Sequence, residues 1–289
     1  MQETYLVTGS AGFIGYFLSK RLLEDGHQVI GVDNLNDYYD INLKQERLKL
    51  IKNHKNFIFY KYDISNKNQM EKVFLDHKID YVINLAAQAG VRYSIENPDV
   101  YIQSNVIGFY NILELVRKYP VKHLVYASSS SVYGANKKVP FEETDFVDNP
   151  VSLYAATKKT NELMAYTYSH LYDIPSTGLR FFTVYGPRGR PDMAYFSFTD
   201  KYFKGEPIKI FNNGDFGNDL YRDFTYIDDI IEGIVRVIHK PSLDKPKYRV
   251  LNIGNSNPEK LTLFKPKTSI KDGLQLFANW YINHYEKKE

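Results

Sequence analysis

The chain has 289 residues, 43% hydrophobic and 25% charged, enough apolar sequence for a buried core and close to the upper length for a single one. Lys plus Arg number 37 against 34 Asp plus Glu, and no basic run exceeds a dipeptide, which argues against a nucleic-acid protein. With no cysteine, disulfide scaffolds, thiolate zinc sites and cysteine nucleophiles are excluded, and histidines 27, 54, 77, 123, 170, 239 and 284 never pair at ligand spacing, so no metal is expected. No apolar run approaches the roughly 18 residues of a bilayer span, and Met1-Gln2-Glu3-Thr4 lacks the charged and apolar regions of a secretion signal. A soluble, cytoplasmic protein without a membrane partner is expected.

Short β-branched runs alternate with helical patterns over the first 180 residues, as in a parallel sheet built from βαβ units. Strands are predicted over 5–7, 29–32, 57–59, 81–85, 123–126 and 176–180, and amphipathic helices over 13–24, 42–52, 67–76, 95–118 and 152–171. Gly26, after Glu24 and Asp25, is placed to stop the first helix. Beyond Arg180 the loops Gly186–Pro191 and Asn212–Asp219 carry few apolar anchors. The expected fold is α/β, a Rossmann-like doubly wound parallel sheet over 1–180, with 181–289 mainly a substrate-binding lobe closing over the carboxyl ends of the strands.

After the first strand, Gly9, Gly12 and Gly15 stand where a tight turn, a close backbone approach to pyrophosphate and close helix–strand packing each need a residue without Cβ. The helix that follows offers free N–H groups to a diphosphate. Asp33, ending the second strand and followed by Asn34, can accept hydrogen bonds from both adenosine ribose hydroxyls and would repel a 2′-phosphate, so NAD is the expected cofactor rather than NADP.

A tyrosine and a lysine four residues apart lie about one helical turn from each other on one face, where they can share the proton exchange that accompanies hydride transfer. With 25 tyrosines and 27 lysines, chance supplies about two such pairs, and the chain has Tyr16/Lys20, Tyr133/Lys137 and Tyr154/Lys158. The first lies on the phosphate-turn helix and the second runs into Gly134-Ala135-Asn136, a loop. Tyr154 and Lys158 open a helix after the fifth strand, and only they can face the crevice. Tyr154 has a reference pKa of about 10, so Lys158 and an oxidised nicotinamide must together outweigh its burial. Ser128 to Ser131 end the fifth strand, and at least one of these hydroxyls should bridge substrate and Tyr154.

The run Thr8–Gly15, Asp33–Tyr39, Asn84–Ser94 and the Tyr154/Lys158 pair resemble the extended short-chain dehydrogenase/reductase family. Within it, Asp33–Tyr39, Gly186–Met193 and Tyr221–Asp229 look like the UDP-glucuronate 4-epimerases, and the resemblance covers nearly the whole chain. It implies an NAD-dependent isomerase acting at C4 through a 4-keto sugar, with Tyr154 as base and Ser129 as its hydroxyl partner. The resemblance further implies that Phe13 and Ile14 join the phosphate turn, Asp63 and Ile64 hold adenine, and Ala86, Ala87 and Gln88 line the cofactor groove. Asn105 would sit by the active-site helix and Phe181 near nicotinamide. Ser130, Ser131 and Thr183 would receive a uronate carboxylate, and Arg190 and Arg222 the UDP end. Related dehydratases and uronate decarboxylases resemble this chain but carry acids where Ser130 and Ser131 stand, which argues against those reactions. The readings set against it are a 4-epimerase of neutral UDP-hexoses and a non-catalytic NAD or nucleotide-sugar binding protein. Helices 95–118 and 152–171, with Tyr101, Phe109, Leu163 and Tyr166, would by resemblance pair across a two-fold into a homodimer. After residue 262 the family continues for several tens of residues before a segment like Phe264–Ser269; here the two abut, through a natural deletion or an omitted segment, so the helix and the Arg/Asp contact to the uridine end that the resemblance implies have no counterpart in this sequence.

Overall fold

The computed structural model describes residues 2–208, 222–255 and 267–286. Seven parallel strands form its spine: β1 (Thr4–Thr8), β2 (Gln28–Val32), β3 (Phe57–Tyr60), β4 (Tyr81–Asn84), β5 (His123–Ser129), β6 (Ser176–Phe181) and β9 (Tyr248–Ile253). Their spatial order is β3-β2-β1-β4-β5-β6-β9, and a separate parallel ribbon pairs β7 (Thr183–Tyr185) with β8 (Phe224–Tyr226). Because the chain runs outward from β1 to β3 and then returns to β4 on the other side of β1, a crevice opens at the carboxyl ends of β1 and β4.

The strands read as continuous apolar runs because both faces are covered. Alternate residues divide between two cores. Tyr5, Val7 and Val29 pack with α1 (Phe13–Glu24) and α9 (Ile227–Ile238), while Leu6, Ile30, Val82 and Leu124 pack with α3 (Lys67–Asp76) and α6 (Gly108–Lys118). The first helix ends in a Schellman motif: Gly26 has φ of +87°, its N–H donates to Leu23 O at 3.0 Å, and His27 N donates to Leu22 O at 3.0 Å. The remaining helices are α2 (Ile41–Ile51), α4 (Tyr93–Glu96), α5 (Asp99–Tyr101), α7 (Leu153–Tyr172), α8 (Ala194–Phe203) and α10 (Ile270–Tyr281).

One expectation is corrected. The helix over 95–118 is broken: Pro98, without an N–H to continue α4, opens a new run that passes through a π-helical turn (Ile102–Ile107) into α6. The sheet also draws on residues beyond 180. Strand β9 pairs with β6 from Ser176↔Tyr248 to Phe181↔Ile253, and α9 packs on α1, so part of the second half covers an edge of the first half's sheet. Residues 212–219, Tyr221 and the junction after residue 262 lie outside the described residues. Among the described residues no helix is long and apolar enough to cross a membrane, and no group of three His, Asp or Glu could hold a metal.

Candidate active site

At the carboxyl end of β1, Gly9 takes φ of +71°, and Gly12 N donates to Gly9 O at 2.9 Å to close the turn. A Cβ on Gly15 would lie 2.0 Å from Gly9 O, so the helix can lie against the turn only with glycine there. No side chain caps the start of α1 and no acid stands in its first turn, which leaves the N–H groups for an anion. Gly15→Ala is expected to remove bound dinucleotide from the purified protein, with the released nucleotide measured after denaturation. Gly26→Ala, where nothing lies within 4 Å of the added Cβ, should retain it.

The nearly buried Asp33 accepts from Ala11 N at 3.1 Å through one oxygen and from Leu35 N at 2.8 Å through the other. Each carboxylate oxygen keeps a further lone pair, as recognition of a ribose diol requires. Asn34 donates to Asp63 Oδ2 at 2.8 Å. Burial pushes the Asp63 carboxyl up, but hydrogen bonds from Ser65 and Asn34 more than reverse this and hold it below its ordinary value. These residues fit a dinucleotide such as NAD: an uncapped helix end for the diphosphate and a fixed acid for the ribose.

One cavity is lined by Gly9, Gly12, Phe13, Ile14, Gly15, Asp33, Asn34, Asp63, Ile64, Ala86, Ala87, Gln88, Ser129, Tyr154, Lys158, Phe181 and Arg190. Tyr154 and Lys158 come from the first two turns of α7, whose N-cap Ser152 accepts from Ala155 N at 3.1 Å. Lys158 Nζ donates to Ala127 O at 2.8 Å, and burial takes its ammonium down to about 7. Burial likewise pushes the Tyr154 phenol above 10.0. A hydrogen bond with Ser129 and the charge of Arg190 pull the other way, while Asp192 adds to the rise. The Ser129 hydroxyl lies 3.0 Å from Ser131 Oγ and accepts from Ser131 N at 3.1 Å, so its proton can turn to Ser131 or to Tyr154.

The Lys158 amine has a measurable consequence in cofactor-free protein. Unfolded lysine holds its proton up to about 10.5 but folded Lys158 only to about 7, so between these values the unfolded state binds more protons. Its contribution therefore makes stability rise with pH from 7 to 10.5. In urea unfolding between pH 7 and 9.5, Lys158→Met should flatten that slope relative to wild type.

Five predicted residues lie elsewhere. Asn105 is one layer behind the cavity wall: it accepts from Gln88 N at 2.8 Å and donates to Gln88 O and Thr157 Oγ1, each at 3.0 Å, so it braces the groove against α7 while neighbouring Ser104 lines the cavity. Ser130, Ser131 and Thr183 are likewise outside the lining, whereas Ser128 and Phe182 are in it. Arg222 is exposed and outside the lining. Arg190, expected at the UDP end, stands in the same cavity as the catalytic pair.

Sequence reasoning missed Tyr38, Lys44 and Met193 in the lining, and Arg47 behind it. Fully buried Arg47 donates to Ala11 O, Tyr39 Oη, Arg188 O and Gly189 O, at 3.1, 2.7, 2.6 and 3.1 Å. It ties the phosphate turn and the loop after Asp33 to the arm over residues 186–193. Lys44 and Arg47 are spaced like any solvated helix face, so no local signal marks them.

The model of the NAD dependent epimerase/dehydratase family matches residues 5–254. Protein CapI of Staphylococcus aureus is 47% identical over 336 alignment positions that take in 98% of this chain and 99% of that protein. With 289 residues here, tens of CapI's residues have no counterpart in the chain. UDP-glucuronate 4-epimerase 4 of Arabidopsis thaliana is 41% identical over 98% of this chain and 76% of its own length. Among solved structures, UDP-glucuronic acid 4-epimerase from Bacillus cereus, in complex with UDP-glucuronic acid and NAD, superposes with a TM-score of 0.88. It is 30% identical, over 98% of this chain and all of that one.

Proposed function

The chain belongs to the NAD dependent epimerase/dehydratase family and is an NAD-dependent nucleotide-sugar epimerase; we propose that it acts in the cytoplasm on a UDP-uronic acid, converting UDP-glucuronate to UDP-galacturonate. The observation that carries this reading is the company Tyr154 keeps: a cation, Arg190, shares its cavity, and the run beside it is serine from 128 to 131, with no acid. A uronate adds a ring carboxylate that this cation can meet and a neutral hexose lacks, and a glutamate in the serine run would repel that carboxylate at close range.

Tyr154 Oη, favoured as phenolate by Ser129, Arg190 and the Lys158 ammonium, takes the C4 hydroxyl proton as the C4 hydrogen leaves with its electron pair. NAD, when bound, would supply the hydride acceptor and donor on one fixed side, so the 4-keto ring must turn over between the two transfers for the opposite C4 configuration to form. Tyr154 then gives its proton to the C4 oxygen as the hydride adds to C4, so neither residue nor cofactor is consumed. The 4-keto uronate formed between the two transfers is a β-keto acid, which loses CO₂ when its carboxylate bond aligns with the ketone π system. Fixed neutral donors prevent that alignment, and we assign this role to Ser130, Ser131 and Thr183, which stand outside the cavity lining but directly follow its residues Ser129 and Phe182, with Arg222, outside the lining, at the UDP end and Arg190 at the sugar end. Purified protein incubated with UDP-glucuronate should yield UDP-galacturonate, with little UDP-pentose. Comparable rates on UDP-glucose, or pentose as the main product, would overturn the assignment.

We assign the homodimer to the outer faces of α6 and α7. Tyr101 and Phe109 are buried within the subunit, but Leu163 on α7 is 56% exposed, Tyr166 and Leu171 there and Tyr110 on α6 are exposed too, and the exposed face continues into the preceding turns through Ile107, Ile102 and Ile95, the last 79% exposed. Leu163→Asp should yield a monomer by light scattering; a wild-type monomer would refute the pairing.

A further inference from the structure

On the arm over residues 186–193, Arg190, which the mechanism places beside Tyr154, is paired with Asp192, to which the mechanism gives no role. Arg190 donates from Nε to Asp192 Oδ1 at 3.0 Å and from Nη2 to Oδ2 at 2.5 Å, a fork-to-fork contact. Asp192 Oδ2 also accepts from the Tyr38 hydroxyl at 3.2 Å. Tyr38 follows Asp33 by five residues on the far side of the crevice and is itself held: its ring lies 4.8 Å from that of Tyr93, and its oxygen fills the space a Cβ on Gly90 would need, 2.3 Å away. Arg190 meanwhile lines the cavity of Tyr154, Lys158 and Ser129.

We propose that Asp192, anchored by Tyr38, is a positioning residue that fixes the Arg190 guanidinium beside Tyr154 and so sets the preference of the site for an anionic sugar ring. This rests on the uronate reading above. Arginine is rotamer-rich, and immobilising it on binding costs entropy; Asp192 removes that cost beforehand while using only two of the five guanidinium donors. A neutral Asn at 192 offers one oxygen, so it can hold only one edge of the fork. The arm's backbone does not depend on Asp192, because Arg47 holds Arg188 O and Gly189 O.

The test uses the full chain loaded with NAD. Asp192→Asn should lower kcat/KM for UDP-glucuronate by about tenfold and for UDP-glucose by less than about threefold, with NAD content unchanged. Tyr38→Phe should shift the ratio the same way by less. In an Arg190→Met background, Asp192→Asn should change the ratio by less than about twofold, because its effect runs through Arg190. An undiminished effect in that background would show that Asp192 acts through the fold and would overturn the proposal. If wild type has no preference for UDP-glucuronate, the uronate reading fails by itself. The 190/192 coupling is then read on kcat/KM for whichever UDP-hexose turns over, where additivity overturns the positioning role and non-additivity keeps it.

Discussion

Tyr154→Phe should lower turnover of a UDP-sugar by about three orders of magnitude, within the range lost when a positioned proton-transfer group is removed, while NAD released on denaturation stays at the wild-type level. The ring is retained, so its contact with Tyr101, 6.1 Å between centroids, survives; only the hydroxyl that must accept and return the C4 proton is lost. The matched comparison is Tyr133→Phe. The Tyr133 hydroxyl donates to Asn252 Oδ1 at 2.7 Å and accepts from Arg180 Nη1 at 3.0 Å, and Tyr133 is not among the residues lining the cavity of Tyr154. Its loss should cost roughly 1–2 kcal/mol of stability and leave most of the turnover. The reverse ranking would mean that the base has been misassigned. Single-turnover reduction of bound NAD by UDP-glucuronate separates the two variants without interference from product release.

The parts of this site that were legible in the sequence are those whose chemistry needs a local pattern. Gly9, Gly12 and Gly15 are spaced by the geometry of one turn, Asp33 ends a strand, and Tyr154 and Lys158 are one helical turn apart, so each could be placed from a short window. Arg47 could not, because its four acceptors come from the phosphate turn, the loop after Asp33 and an arm more than a hundred residues away. The resemblance puts Asn105 by the active-site helix, and it does bond to Thr157 there, but a window of sequence does not tell a residue that faces a cavity from one that braces its wall. The π-helical turn matters here: it changes the rotation per residue just where Ser104 and Asn105 stand, so helical periodicity cannot assign their faces. Strand β9 has an ordinary β-branched pattern, yet it joins the sheet after a long excursion, and its partner is fixed only by tertiary contact.

Glu162→Gln should be the most destabilising single change near the site. Arg180 donates from Nε and Nη2 to the two Glu162 oxygens, both at 2.9 Å, and Ser128 Oγ adds a third bond at 2.6 Å. The pair is almost wholly buried, with side chains 3% and 4% exposed, so removing one charge leaves the other without compensation in a dry core. Such losses cost about 3–5 kcal/mol, which for a chain of this length corresponds to a fall in Tm of roughly 10 °C. By contrast, removing Glu71, whose partner Lys118 is 59% exposed, should shift Tm by about a degree or less. The network also spans the chemistry: Glu162 lies one turn beyond Lys158 on α7, Ser128 precedes Ser129, and Arg180 reaches Tyr133 at the end of the serine turn. Glu162→Gln should therefore lower turnover at temperatures where the protein is still folded. Glu162→Leu combined with Arg180→Met removes both charges and should melt above either single variant. If the double variant is the least stable of the three, the pair contributes through net attraction rather than through the cost of leaving one charge alone, and the expected ranking is wrong.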